Sequence, residues 1–131
     1  MATTQDMLER WEKIEERKNA LIEKAEGFFE TRKRAGKKVV PIAHSQWQGL
    51  LRLALSTTSV KEIQLFIRYQ EGRAEKGEGW RSGDFGKELR MALAQVEEDA
   101  GGDQALSMEL VRLFLGYLMR EARWRESAEE R

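Results

Sequence analysis

Three features of this sequence predict an all-α fold, a compact bundle of about five helices led by a long N-terminal one. Apolar residues recur every three to four positions, serines and threonines stand where helix caps are needed, and the one β-prone run has nothing to pair with. That run, residues 38–42, gains nothing as a lone strand. At 131 residues and 40% apolar content the chain suffices for one modest core, so residues 1–131 read as a single helical domain.

The first helix is expected to start after a threonine cap, Thr3 or Thr4, and to end near Gly36. Its apolar positions Met7, Trp11, Ile14, Leu21, Ala25 and Phe28 alternate at heptad spacing, interrupted by Lys18, and Leu8, Ile22 and Phe29 widen the stripe toward a packing face. Pro41 marks a connection. Ser45 with Gln48 reads as a capping box for the second helix, whose inward residues are Trp47, Leu50, Leu51, Ala54 and Leu55. After a polar turn over 56–59, Ser59 with Glu62 opens the third, which turns Val60, Ile63, Phe66 and Ile67 inward.

Between 72 and 86 lie Gly72, Gly77, Gly79, Gly83 and Gly86 with mixed charges around Trp80, the expected flexible loop. The fourth helix runs from about Asp84 to Asp99 with Phe85, Leu89, Ala92, Leu93 and Val96 inward, and Gly101-Gly102 ends it. The fifth begins near Ser107, with Met108, Val111, Phe114, Leu115, Leu118 and Ala122 facing the core, and its charged tail over about 126–131 is expected to fray.

The chemistry available is narrow. With no cysteine and His44 as the sole histidine, thiolate and multi-imidazole metal sites cannot be built, and no Asp-rich loop with a turn glycine offers a carboxylate site. The expectation is no metal, no cofactor and no catalytic residue. His44 beside Ser45 lacks a third group to orient the imidazole and reads as a helix-start residue. Gly83-Asp84-Phe85-Gly86 looks like the metal-binding triplet of protein kinases, but the lysine strand and catalytic loop are missing. A glycine turn, an Asp cap and a core Phe explain it better. No Gly-rich loop followed by Lys and Ser or Thr cradles phosphate. No apolar run approaches the roughly 20 residues of a membrane span, and the first residues lack the apolar core of a signal peptide, so a cytoplasmic location is expected.

Charge is zero in total but unevenly placed. From 31 to 61 there are seven basic residues, Arg32, Lys33, Arg34, Lys37, Lys38, Arg52 and Lys61, and no Asp or Glu, leaving 16 basic against 23 acidic residues elsewhere. Cations at a helix C-terminus stabilise it by about 0.3–1 kcal/mol each. Five cations in seven residues exceed that need, and such a patch can follow a phosphate backbone by releasing condensed counterions. Lys33, Arg34, Lys37 and Lys38 are therefore candidate RNA contacts. Two further mixtures of cations and aromatics occur, Phe66 to Arg73 and Tyr117, Arg120, Arg123, Trp124 and Arg125. The bland reading places Tyr69 half buried, the arginines in ion pairs with Glu62 or Glu71, and Tyr117 and Trp124, spaced by seven, in core or interface packing.

Taken together, Ser45-Gln46-Trp47-Gln48 opening a helix, Phe66 to Arg73 followed by Trp80, and Phe114-Leu115-Gly116-Tyr117-Leu118-Met119-Arg120 resemble the small helical subunits of type III CRISPR effector complexes, over about residues 40–125. Such subunits have no nuclease activity and line a filament-like ribonucleoprotein. The resemblance implies RNA contacts by Gln46, Arg52, Arg68, Arg73 and Arg120, with guide and target RNA strands, other subunits and further copies of the chain as partners. It departs at Gln48, where the family pattern has an arginine, which moves weight onto Arg52. The rival expectation is a helical adaptor that binds proteins through the heptad face of helix one. A helix-turn-helix built from helices two and three ranks third, because Lys61 is the only cation in helix three before Arg68.

Overall fold

The computed structural model describes residues 3–129. The fold is all-α, a compact bundle of α1 (Thr4–Arg34), α2 (His44–Ser56), α3 (Val60–Arg73), α4 (Phe85–Asp99) and α5 (Gln104–Glu129), with a 3-10 turn over Gly79–Asp84. There is no strand among the described residues.

The helix starts follow local hydrogen-bond chemistry. Thr3 caps α1 in a full capping box: its hydroxyl accepts from the Asp6 amide at 3.0 Å and its own amide donates to the Asp6 carboxylate at 3.1 Å. The Ser59 hydroxyl accepts from the Glu62 amide at 3.2 Å to open α3. Two expected starts move. Helix α2 begins after Ala43, whose amide donates to the Gln46 side-chain oxygen at 2.8 Å, so Gln46 rather than Gln48 reaches back, and Ser45 lies inside the helix. Helix α5 begins at Gln104 because the Asp103 carboxylate takes the Leu106 amide at 3.0 Å, about one turn before the expected start. Ser107 is buried inside the helix, and its hydroxyl donates to the Glu97 carbonyl at 3.4 Å.

Helices α1 and α5 lie side by side in the same direction. The Arg17 guanidinium reaches the Asp99 carbonyl just before α5 begins, and Arg125 reaches the Glu26 carbonyl and Glu30 near its far end. Helix α2 runs against α5, since Arg112 donates to the carbonyls of Ala54 and Thr57 at the C-terminal end of α2, both at 2.8 Å. Helix α3 runs against α4: the Gln64 side-chain amide donates to the Arg90 carbonyl, and Glu71 packs on Gly86, where any Cβ would collide with it. One end of the bundle therefore gathers the C-terminal ends of α1, α3 and α5 with the N-terminal ends of α2 and α4.

At that end sits an aromatic cluster. Phe29 and Trp47, Trp47 and Phe85, and Trp80 and Phe85 meet at 5.8–6.1 Å between ring centres, mostly edge to face, and such pairs add about 0.5–1.5 kcal/mol each beyond burial. The expected inward faces of α4 and α5 are buried throughout. Elsewhere the packing departs from the pattern: Met7, Leu8, Trp11, Leu55 and Tyr69 are exposed. Residues 74–78 of the glycine-rich segment lack helical structure, the 3-10 turn that follows is kinked by non-helical backbone at Ser82 and Gly83, and Trp80 within it is 3% exposed. Gly83 makes that turn possible, with φ at +53° and the Lys37 side chain where a Cβ would stand, 2.9 Å away. Helix α5 extends to Glu129, so the expected tail is helical over 126–129, while residues 130 and 131 lie outside the described residues.

Candidate nucleic-acid interface

The basic run at the end of α1 divides into buried and free cations. Arg32 is 1% exposed and uses all five guanidinium donors. Its Nε and Nη2 donate to the Lys38 carbonyl at 3.0 and 2.7 Å, Nη2 also to the Ser82 carbonyl at 3.0 Å, and Nη1 to the Gly83 carbonyl at 3.1 Å and to the Glu88 carboxylate. The guanidinium also lies over the Phe85 ring, 5.1 Å from its centre. Arg32 thus ties α1 to the connection before α2, to the 3-10 turn and to α4. Lys37 completes the node with a 2.7 Å bond to the other Glu88 oxygen, which removes it from the free candidates.

Lys33, Arg34 and Lys38 remain at the surface. Arg34 has a long contact to Glu30 at 3.8 Å, whereas Lys33 and Lys38 make no ion pair among the described residues. Around the corner, the N-terminal end of α2 meets the last turns of α5. A groove of about 450 Å³ there is lined by His44, Met119, Arg120, Arg123, Trp124 and Ser127. On the other side of Trp124 a second groove, about 360 Å³, is lined by Glu30, Lys33, Val39, Arg125 and Ala128. Trp124 is 64% exposed, so the expected core packing for it is not what the fold provides. Arg120 lies over the Tyr117 ring at 5.7 Å, and among the described residues Arg123 has one carboxylate contact, to Glu126 at 3.8 Å.

The residues implied by the resemblance fall into separate places. Gln46 and Arg73 line one cleft of about 300 Å³ with Gln70, Glu75, Glu78 and Trp80, whose buried indole N–H has no hydrogen-bond partner among the described residues. Gln46 is also occupied as the α2 cap, and Arg73 lies over its neighbour Tyr69 at 5.5 Å. Arg120 belongs to the groove beside Trp124. Arg52 is exposed on α2 about 120° around the helix from Gln46, and Arg68 is exposed on α3 about 140° from Arg73. Of the partners expected for the α3 arginines, Glu71 is taken by Arg90, at 2.6 and 3.0 Å, and that hydrogen bond holds the Arg90 pKa above its ordinary value.

Two residues are hidden in the sequence pattern. Arg32 reads as one more surface cation, yet it continues the stripe Leu21, Ala25, Phe28 at the next heptad position, which is the available signal. Trp124 follows core residues Leu118 and Ala122, but it stands about 160° around the helix from Ala122, on the outer side. Among the described residues no three His, Asp or Glu side chains come together as a metal site, and no helix is long and apolar enough to cross a membrane. No family model matches the chain, and no curated protein or solved structure matches it either.

Proposed function

We propose that this chain is a non-catalytic RNA-binding subunit that holds single-stranded RNA at the basic end of its bundle. It would act within a larger ribonucleoprotein, of the type III CRISPR effector kind that its short segments resemble. The observation that carries RNA binding is the division of the basic run. Arg32 and Lys37 meet the structural needs of the α1 terminus, and Lys33 and Lys38 are left over, exposed and without carboxylate partners among the described residues. Arg120 and Arg123 extend this free charge across the mouth of α2, and an exposed aromatic ring stands between the groups. Cations that track a backbone beside aromatic rings are the usual equipment for single-stranded nucleic acid. The CRISPR context rests on the resemblance alone.

The test is a salt titration of RNA affinity. Changing Lys33, Lys38 and Arg123 together to Gln should leave thermal stability nearly unchanged and lower the slope of log affinity against log salt by about 0.7 for each phosphate no longer neutralised. Fluorescence anisotropy of a labelled oligoribonucleotide at low ionic strength reads this directly. A slope equal to that of the parent chain removes the electrostatic case. The adaptor reading keeps one observation of its own, the exposed Met7, Leu8 and Trp11 on the N-terminal part of α1. Under that reading Leu8→Ser with Trp11→Ser abolishes co-purification of a protein partner and leaves the salt titration as it was.

A further inference from the structure

Trp124 is the most exposed large aromatic at the basic end, and it is held on a regular helix that continues beyond it to Glu129. Its surroundings are those of a recognition site for a charged, planar ligand. Arg120 lies one turn before it on the same side of α5, Arg123 adjoins it, and His44 closes the first groove from the start of α2. Lys33 lies in the second groove, across the ring. Carboxylates are present too: Glu126 stands 3.8 Å from Arg123, and Glu30, lining the second groove, is engaged by Arg125 at 3.4 Å and Arg34 at 3.8 Å. Neither takes Arg120 or Lys33.

We propose that Trp124 is a stacking platform for one unpaired nucleobase of a single-stranded RNA, with Arg120 and Arg123 on one side of the ring and Lys33 on the other taking the flanking phosphates. The inference rests on the RNA-binding reading and adds to it a base contact that charge alone does not supply. The indole offers a flat apolar face, every base has a matching π-face, and stacking of this kind is indifferent to sequence. A protein-docking role would favour a ring set in an apolar surround with charge depleted at its centre. Here three cationic or imidazole side chains share one groove with the ring, and only Met119 is large and apolar among its neighbours there.

The experiment uses the full chain and a fluorescein-labelled oligouridylate at low ionic strength, with anisotropy for affinity and intrinsic fluorescence for location. Of the four tryptophans, Trp47 and Trp80 are buried and Trp11 lies on the far arm of α1, so quenching by RNA should come from Trp124. Trp124→Leu should weaken binding about fivefold to a hundredfold while leaving the salt slope unchanged, because it removes stacking and no charge. Trp124→Phe should retain most of the affinity, and Trp11→Leu all of it. Since Trp124 is exposed, circular dichroism should show each of these variants folded as the parent is.

If Trp124→Leu binds as the parent does while neutralising Lys33, Lys38 and Arg123 lowers the salt slope, the platform fails and RNA binding stands. If no variant and no parent binds RNA, both fail. Parent-like RNA affinity of Trp124→Leu together with loss of a co-purifying protein would make the ring a protein contact and overturn the proposal.

Discussion

Between Leu21 and Arg34, α1 buries Leu21, Ala25, Phe29 and Arg32, whereas earlier in the same helix Met7, Leu8 and Trp11 stand open to solvent, Trp11 at 59%. One sequence rhythm runs through both halves. What differs is whether another helix lies alongside. Helix α5 begins at Gln104, and the tie from Arg17 to the Asp99 carbonyl is made just before it, so the first turns of α1 project past the bundle. A heptad stripe specifies a helix with an apolar face, but burial of that face requires a partner within reach. The difference even reverses the usual ranking, since an arginine is sealed in the core end while a tryptophan is exposed on the arm.

The packed half of α1 depends most on Arg32. Arg32→Ala leaves the carbonyls of Lys38, Ser82 and Gly83 without their donor and takes from Glu88 its buried partner. Lys37 still pairs with Glu88, but each carbonyl left unpaired in this packed end costs about 1–3 kcal/mol, so the three together should cost about 3–5 kcal/mol. Urea unfolding followed by circular dichroism should show a loss of that size, and a change below about 1 kcal/mol would mean that the node does not organise this end. On the arm the expectation is the opposite. Leu8→Ala and Trp11→Ala should each change the stability of the monomer by no more than about 0.5 kcal/mol, as surface substitutions do. A larger loss that disappears on dilution would show that the arm is covered by a second copy.

How much of this was legible in the sequence follows the same division between local and long-range information. The inward faces of α4 and α5 could be read because each stripe does meet a partner along its length. The capping residues Thr3 and Ser59 act within four residues and could be read from spacing. Trp80 and Trp124 could not. Glycines around Trp80 suggest a loose loop, but the turn is closed by Arg32 and Phe85, which come from elsewhere in the fold. Trp124 lies in a strongly helical segment, yet no neighbouring helix covers its side of α5. For the candidate site, the charge run marks a basic segment but could not say that Arg32 and Lys37 would be consumed by Glu88, 51 residues or more further along the chain.

The smallest expected effect lies at the start of the arm. Asp6 accepts the Thr3 amide and caps α1 with it, and hydrogen bonding from the Thr3 backbone, then from its side chain, holds the Asp6 pKa below its ordinary 3.8. The sign follows from which form the partner favours. Because the folded value is depressed, the stabilising contribution is present above 3.8 and is lost as pH falls through the lower folded value. The cap should therefore survive acidification to about the ordinary carboxylate range and loosen below it. An NMR titration of the Asp6 carboxyl together with the Thr3 amide should give one shared midpoint below 3.8. Thr3→Ala keeps the backbone donor and removes the hydroxyl, so it should return the midpoint only part of the way. Since Asp6 is fully exposed, global unfolding should hardly register the change, and the effect should be confined to the first turns of α1. A parent midpoint at the ordinary value would mean that the capping box is not formed in solution and that the arm begins later than Thr4.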